Sequence, residues 1–115
     1  MKASVKARFI KALRSGKYKQ GFGTMRDSND KFCVLGVLCN LHAQEHPVIA
    51  KKQKYKTEYL GDSASLPMVV QTWAGLSSDN PKLPGVKGQP TLMHLNDSKR
   101  LTFPEIATLI EFSDL

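Results

Sequence analysis

A cationic, glycine-rich loop near the N-terminus is the segment of this sequence best suited to chemistry. It runs from Arg14 to Thr24 and presents Lys17 and Lys19 among three glycines. Nine of the 17 Lys and Arg residues fall in the first 31 positions, where two aspartates are the only acidic residues. Ammonium groups and free backbone N–H groups can converge on one anion. The loop therefore predicts a partner that carries phosphate.

The predicted site is looser than a Walker-type phosphate loop. That motif places Lys and then Ser or Thr directly after its last glycine, whereas Gly21 is followed by Phe22. We predict instead that the cations neutralise phosphate while Tyr18 or Trp73 stacks on a base. Asp97 is a candidate for one of two roles, as a base or as a residue that holds a ribose hydroxyl. The predicted ligand-binding residues are Arg14, Lys17, Tyr18, Lys19, Gln20, Arg26, Trp73, Asn96 and Asp97.

These residues also have ordinary structural interpretations, which stay open at this point. Tyr18 and Phe22 can fill the core beneath a simple connection while the lysines are merely solvated. Trp73 can be a core tryptophan whose N–H bonds to the backbone. Asn96 and Asp97 can form a plain Asn-Asp turn.

Cysteine and histidine residues supply a second candidate chemistry, which their spacing does not favour. Cys39, His42 and His46 lie near one stripe of a helix, and zinc binds both residue types. Neither CxxC nor HExxH is present, and three ligands spread over two helical turns converge poorly on one ion. We therefore predict no metal site and no cofactor.

A Cys–His nucleophile is the corresponding enzymatic hypothesis, with Cys33 or Cys39 and His42 or His94. A reactive thiol needs an exposed, electropositive setting, and both cysteines stand in the most apolar run of the chain. Paired carboxylates are also missing from the sequence. We predict no catalytic residue, and a nucleotide hydrolase is the least favoured alternative.

Composition and charge indicate one globular domain, residues 1–115. Hydrophobic residues make up 41% of the chain, and the formal charge of +7 with a pI near 9.6 attracts polyanions and anionic small molecules. No apolar run approaches the ~20 residues that span a bilayer, and the basic N-terminus lacks an apolar signal region. Cys33 and Cys39 are too far apart on a helix to form a disulfide. We expect a reduced, cytoplasmic setting and no membrane partner.

Four helices and one or two short β-hairpins are expected to position these residues, which gives an α+β fold. The helices are predicted at Ser4 to Ser15, Phe32 to Glu45, Leu66–Pro67 to Gly75, and from Thr102 onward. The hairpins are predicted at Thr24–Arg26 with Lys31–Cys33, and at Thr91–Leu95 with Lys99–Thr102. The segment from Lys51 to Leu60 is predicted as a strand or an extended loop.

Glycine and serine residues predict how several of these helices end and pack. Gly16 and Gly75 are expected to stop two helices, and Ser63 or Ser65 is expected to cap the helix before Gly75. Gly36 lies inside the most apolar helix, where a glycine costs about 1 kcal/mol unless something requires it. It therefore predicts the close approach of another backbone.

The last helix has the clearest local signature. Thr102 and Glu105 are spaced as a capping box, and Pro104 lies in the first turn. Its buried face is predicted to consist of Ile106, Leu109, Ile110 and Phe112.

Four stretches of the sequence resemble a widespread group of small bacteriophage proteins. The stretches are Ala12 to Gly21, Phe32 to Cys39, Leu66–Pro67 with Trp73 to Leu76, and Leu95 to Asp97. The group has no assigned activity, so the resemblance implies a phage origin and no particular chemistry. Relatives often carry a second cysteine where this chain has Val34, and the departure weakens any metal or redox interpretation.

We predict from these observations a phage-encoded, non-enzymatic binding protein. By analogy with phage proteins that interfere with the host, it would sequester a nucleotide or cyclic oligonucleotide signal in the host cytoplasm and so counter antiviral defence. Such ligands are often held between subunits, so a homo-oligomer is expected. Two alternatives stay open: a basic RNA- or DNA-binding protein, whose affinity falls with salt, and an inhibitor that docks onto an acidic host protein.

Overall fold

Six helical segments and two very short strands form the fold, in a computed structural model that describes residues 1–115. In chain order they are α1 (Ala3–Arg14), β1 (Lys19–Gln20), β2 (Lys31–Phe32), α2 (Val34–Glu45), α3 (Pro47–Lys51), α4 (Met68–Ala74), a π-helix (His94–Ser98) and α5 (Phe103–Phe112). The predicted α+β class is confirmed. Two more helical segments are present than expected, because Pro47 starts a separate short helix and the region around Leu95 is helical. None of the helices has the length and apolar character that crossing a bilayer requires.

The central helix α2 is buried on nearly every side, because apolar residues occupy all of its faces. Eight of its residues are buried, and Leu35 and Leu38 are completely inaccessible. Helix α1 packs on α2 and most extensively on α5, and it buries Val5, Phe9 and Leu13 at the predicted spacing. The core therefore lies between α2 and the two terminal helices.

The close backbone approach predicted at Gly36 is confirmed. The chain at Met25 crosses α2 at this glycine, so a methyl group on Gly36 would lie 2.7 Å from the Met25 carbonyl carbon and closer still to its oxygen. Cys33 N donates a hydrogen bond to the Met25 carbonyl at 3.2 Å, and Met25 N donates to Ser63 O at 2.7 Å. The loop before α2 is thus fixed against the helix.

The ends of α1 and α4 follow the glycine signals but not the predicted serine cap. Gly16 and Gly75 adopt left-handed conformations with φ of 75° and 71°, as expected of residues that stop a helix. The prediction of Ser63 or Ser65 as the cap of α4 is wrong, because Pro67 occupies the N-cap position and no side chain caps the helix. The helix begins after this proline, beyond the reach of either serine.

The capping box of α5 is confirmed in both directions. The Thr102 side chain accepts from Glu105 N, and the Glu105 side chain accepts from Thr102 N. The buried residues of the helix are Phe103, Ile106, Ala107 and Ile110. Phe112 is 78% exposed, so its predicted burial is wrong. It lies two positions after Ile110, which is about 200° around the helix and therefore on the opposite side.

The predicted turn that starts at Asp27 is confirmed, although the strand pairing differs. Asp27 Oδ1 accepts from the backbone N–H groups of Asn29 and Lys31, and one antiparallel bridge joins the residues that flank the turn. The regular ladder is instead parallel, between β1 and β2. It continues beyond β1, because Gly21 N donates to Phe32 O at 2.7 Å.

The second predicted hairpin, Thr91–Leu95 with Lys99–Thr102, is wrong. A helical turn leads into the π-helix in this region. Leu92, Leu95 and Asn96 are all buried, and they have the i, i+3, i+4 spacing of one helical face. Burial of this face outweighs the turn propensity of the Asn-Asp-Ser sequence.

The segment from Lys51 to Leu60 is irregular after its first residue, which ends α3. Tyr59 anchors the segment, since its side chain is buried and its backbone pairs with Asp62 in an isolated antiparallel bridge. The extended-loop prediction is therefore closer to the structure than the strand.

Candidate functional site

The nine predicted ligand-binding residues do not converge on one site. Arg14 donates to the carboxylate of Glu111 and to the hydroxyl of Thr108, so it joins α1 to α5. Lys17 and Lys19 are exposed and form no ion pair. The other six are divided among a buried hydrogen-bond network, two aromatic contacts and the mouth of a cleft.

Gln20, Asn96 and Asp97 lie together, in a buried network rather than an open site. Asn96 is completely buried, and its Oδ1 accepts from Gln20 Nε2 at 3.0 Å and from Val34 N at 3.2 Å. Its Nδ2 donates to Gly21 O at 3.0 Å and to Asp97 Oδ1 at 2.7 Å. This network, the Asn96 clasp, ties the cationic loop to the start of α2 and to the π-helix.

The hydroxyl and the aromatic ring of Tyr18 both make contacts within the protein. Its hydroxyl donates to Asn40 Oδ1 at 2.6 Å, and its ring meets the Phe32 ring edge-on with centroids 5.1 Å apart. Burial raises the pKa of this hydroxyl above its usual value. A half-buried ring in these contacts is poorly placed to stack on a base.

Trp73 belongs to an aromatic cluster with His42, His46 and Tyr59. The two histidine rings stack with centroids 4.1 Å apart, and Trp73 meets both edge-on. His42 Nδ1 lies 2.6 Å from the Tyr59 hydroxyl, and His46 Nδ1 lies 2.8 Å from the His42 carbonyl oxygen. Cys39 is directed elsewhere, with its sulfur 3.6 Å from a methionine sulfur. No three His, Cys, Asp or Glu side chains gather as metal ligands.

Burial of His42 should make the stability of the protein depend on pH. The side chain is 1% exposed, and burial, aided by the neighbouring His46, lowers the pKa of the imidazole below its usual 6.5 while Glu45 opposes the shift. The unfolded chain takes up a proton near pH 6.5, whereas the folded chain does so only at lower pH. The free energy of unfolding should therefore fall as the pH drops below about 6.5, by at most about 1.4 kcal/mol per pH unit.

Urea denaturation at several pH values between about 7.5 and 5.5 measures this dependence. His42→Gln should remove most of it, because glutamine does not titrate and can still bond to the Tyr59 hydroxyl. His94 is exposed, so His94→Gln is the matched control and should retain the wild-type dependence. If the free energy of unfolding of His42→Gln depends on pH as strongly as that of the wild type, His42 is not the cause of the dependence.

A cleft of about 260 Å³ lies beside α2. Its walls come from α2, from the chain around the turn before β2, and from α3 with the segment that follows it. The inner wall is partly apolar and includes Phe32, Cys39 and Tyr59, while Asn40 and Gln53 supply amide groups. The cleft therefore offers both a surface for an apolar or aromatic group and hydrogen-bonding partners.

Two cations meet at the mouth of this cleft on a single carboxylate oxygen. Asp30 Oδ1 accepts from Arg26 Nε at 3.1 Å, from Arg26 Nη2 at 2.9 Å and from Lys56 Nζ at 3.2 Å. The two cations, Lys56 first, hold the pKa of the Asp30 carboxyl below its usual value. Between 33% and 55% of each side chain is exposed, so a dissolved anion can reach them. Of the nine residues predicted to bind the ligand, Arg26 is the one that lines the cleft.

The lysines at the end of α3 and in the segment after it are candidates that the sequence reasoning missed. Lys51, Lys52, Lys54 and Lys56 crowd into six positions, with Tyr55 between the last two. Tyr55 is 55% exposed, and Lys54 Nζ lies 5.5 Å from its ring centroid. Only Lys56 of the four forms an ion pair. A run of lysines interleaved with an aromatic residue is the sequence signal that indicates such a surface.

The thiols in and near the cleft are not activated. Burial raises the pKa of the Cys39 thiol far above its usual value and that of Cys33 to about 11. Burial likewise raises the pKa of the Tyr59 hydroxyl to about 12. All three groups stay protonated at neutral pH, so they supply contacts and hydrogen bonds rather than a nucleophilic anion.

Comparison with known proteins places nearly the whole chain in one family domain. The family model described as Domain of unknown function (DUF8296) matches residues 1–114. No curated protein and no solved structure matches the chain. Both the Asn96 clasp and the cationic cleft lie within the matched residues.

Proposed function

The chain belongs to the DUF8296 family, and we propose that it binds a nucleotide-type ligand without chemically changing it. The observation that carries the proposal is the meeting of Arg26 and Lys56 on one carboxylate oxygen at the mouth of a partly apolar cleft. The phosphate of the ligand takes the place of the Asp30 carboxylate, and the base enters the cleft.

A phosphate group suits the two cations better than the carboxylate oxygen that they share. Arg26 directs two N–H donors and Lys56 a third donor at one oxygen atom. A terminal phosphate has three free oxygens and close to two negative charges, so each donor can have its own acceptor. The phosphodiester of a cyclic oligonucleotide has two free oxygens and one negative charge, which still gives the arginine and the lysine separate acceptors. Asp30 lies in an exposed turn and can point into solvent when the phosphate is bound.

The surrounding charge supports the capture of an anion. Lys51, Lys52 and Lys54 are exposed, form no ion pair and lie on the segment that borders the cleft. Unpaired cations beside a concave surface raise the local concentration of anionic ligands. The formal charge of +7 acts in the same direction.

The size of the cleft favours a single nucleotide. Its volume of about 260 Å³ is close to the ~300 Å³ at which small-molecule sites begin. A base can occupy the cleft while the sugar and phosphate lie at its mouth. A cyclic oligonucleotide is larger, so in that form of the proposal two subunits each hold one base and the protein is a homo-oligomer.

The biological form of the proposal rests on the resemblance to small phage proteins. A phage-encoded protein of this kind sequesters a nucleotide signal in the host cytoplasm and so weakens antiviral defence. Sequestration needs binding groups only, in agreement with the protonated thiol of Cys39, the one cysteine that lines the cleft.

Replacing Arg26 and Lys56 together by alanine should weaken nucleotide binding by at least about tenfold. Hydrogen bonds to charged groups contribute about 1.5–3 kcal/mol each, and the double variant removes those that hold the phosphate. Isothermal titration with linear and cyclic nucleotides measures the affinity. Asp30→Asn should act in the opposite direction, because it removes the charge that competes with phosphate.

Lys17→Ala combined with Lys19→Ala is the matched control. It removes the same charge from the exposed loop, and the affinity should stay close to that of the wild type. If the control loses as much affinity as the cleft variant, general charge rather than the cleft binds the ligand. If the wild type binds no nucleotide and instead retains an acidic host protein in a pull-down, the inhibitor alternative replaces this proposal.

A further inference from the structure

Phe22 and Arg100 form an aromatic–cation pair on the protein surface. The guanidinium carbon of Arg100 lies 4.2 Å from the Phe22 ring centroid, and Phe22 is 41% exposed. Arg100 is exposed as well and forms no ion pair. Neither residue lines the cationic cleft, so the pair is a separate feature of the molecule.

The loop presents Phe22 to solvent because both of its neighbours are fixed. Gly21 O accepts from Asn96 in the clasp at 3.0 Å, and Gly23 N donates to Asp97 Oδ1 at 3.2 Å. A side chain on Gly21 would collide with β2, and Gly23 has a φ of 81°, where side chains are strained. The buried network therefore supports an exposed aromatic ring in a defined position.

Arg100 occupies a backbone conformation that suits glycine. Its φ is 50°, and Leu101 N donates to Leu95 O at 3.0 Å across this residue. Helices commonly place glycine at such a position, because a side chain there costs free energy. The backbone at this position thus suits glycine better than arginine, and a cation–π contact holds the exposed guanidinium over the Phe22 ring.

We infer that the Phe22–Arg100 pair binds single-stranded nucleic acid, with a base stacked on the ring and a phosphate on the guanidinium. Unpaired bases stack on aromatic rings and on guanidinium groups, and arginine combines stacking with phosphate binding. Lys19 and Lys99 are exposed, lack ion pairs and lie close in sequence to Phe22 and Arg100, so they add free positive charge to the same two segments of the chain. This surface goes beyond the nucleotide cleft and does not rest on it.

Fluorescence anisotropy with labelled oligo(dT) and oligo(U) of about 12 nucleotides, at about 50 mM salt, tests the inference. Phe22→Ala should weaken binding about tenfold, through the loss of one stacked base. Arg100→Gly should also weaken binding while leaving the melting temperature unchanged or higher, because its backbone conformation suits glycine. That combination separates a binding role from a structural one.

Phe112→Ala is the matched control, since it removes a more exposed phenylalanine from α5 and should leave the affinity unchanged. The Arg26 and Lys56 double variant should keep most of its oligonucleotide affinity, so failure here is distinguishable from failure of the nucleotide proposal. The inference is wrong if the wild type does not bind either oligonucleotide, or if Phe22→Ala binds as tightly as the wild type.

Discussion

Gly36→Ala is expected to prevent the chain from reaching its native structure. The added methyl group would lie 2.7 Å from the Met25 carbonyl carbon, 3.2 Å from its Cα and closer still to its oxygen. Met25 cannot retreat easily, because it is 2% exposed and both its N–H and its carbonyl group are hydrogen-bonded. Relief would require α2 to move away from the centre of the core.

The steric clash at Gly36 outweighs the helical preference for alanine. Alanine is favoured over glycine in a helix by about 1 kcal/mol. Overpacking a core costs about 1–3 kcal/mol even where side chains can adjust. Here the obstacle is backbone, so we expect a loss above about 4 kcal/mol, which approaches the whole stability of a typical domain.

Circular dichroism and urea denaturation measure the outcome. Gly88→Ala is a suitable control, because Gly88 has a φ of 79° and open space around it. It should cost only about 1–2 kcal/mol of conformational strain and remain folded. If Gly36→Ala unfolds within about 1 kcal/mol of the wild type, the approach of Met25 to α2 is looser than described.

Asn96→Ala should lower the free energy of unfolding by about 3 kcal/mol or more. The change leaves Val34 N and Gly21 O without their partners, and an unsatisfied buried polar group costs about 1–3 kcal/mol. Gln20 loses one acceptor but keeps its hydrogen bond to Leu101 O. The cavity left by the amide adds to the loss.

Asn96→Asp tests the same network without a change of shape. It replaces a donor by a charged acceptor that faces Gly21 O and the Asp97 carboxylate, so it should destabilise at least as strongly as alanine. Asn29→Ala in the exposed turn is the control, and urea denaturation should place it within about 0.5 kcal/mol of the wild type. Equal stability of Asn96→Ala and Asn29→Ala would show that the clasp contributes nothing.

The helices were predictable where their determinants lie within a few residues of one another. Val5, Phe9 and Leu13 have the spacing of one helical face, and the reciprocal bonds of Thr102 and Glu105 join residues three positions apart. Gly36 was informative for a related reason, since a glycine inside an apolar helix needs an explanation and close packing supplies it.

The π-helix and the cleft depend on partners that no local pattern reveals. The Asn-Asp-Ser sequence suits a turn. The Asn96 side chain is instead fixed by hydrogen bonds to the backbone of Val34 and Gly21, which lie 62 and 75 positions away. Lys56 reaches Asp30 across 26 positions, so the cationic mouth appears only when the chain is folded. Composition showed that cations would dominate the surface, and it could not show which of them share an anion.

Because α1 packs most extensively on α5, α1 is synthesised well before the helix that covers most of its apolar face. Arg14 and Glu111, which join the two helices, are 97 positions apart, a stretch that a ribosome translates in about 5–20 s. During that time the apolar stripe of Phe9 and Leu13 lacks much of the surface that covers it in the finished molecule. The nascent chain therefore exposes the apolar face of α1 until α5 has been synthesised, and only then can the core close.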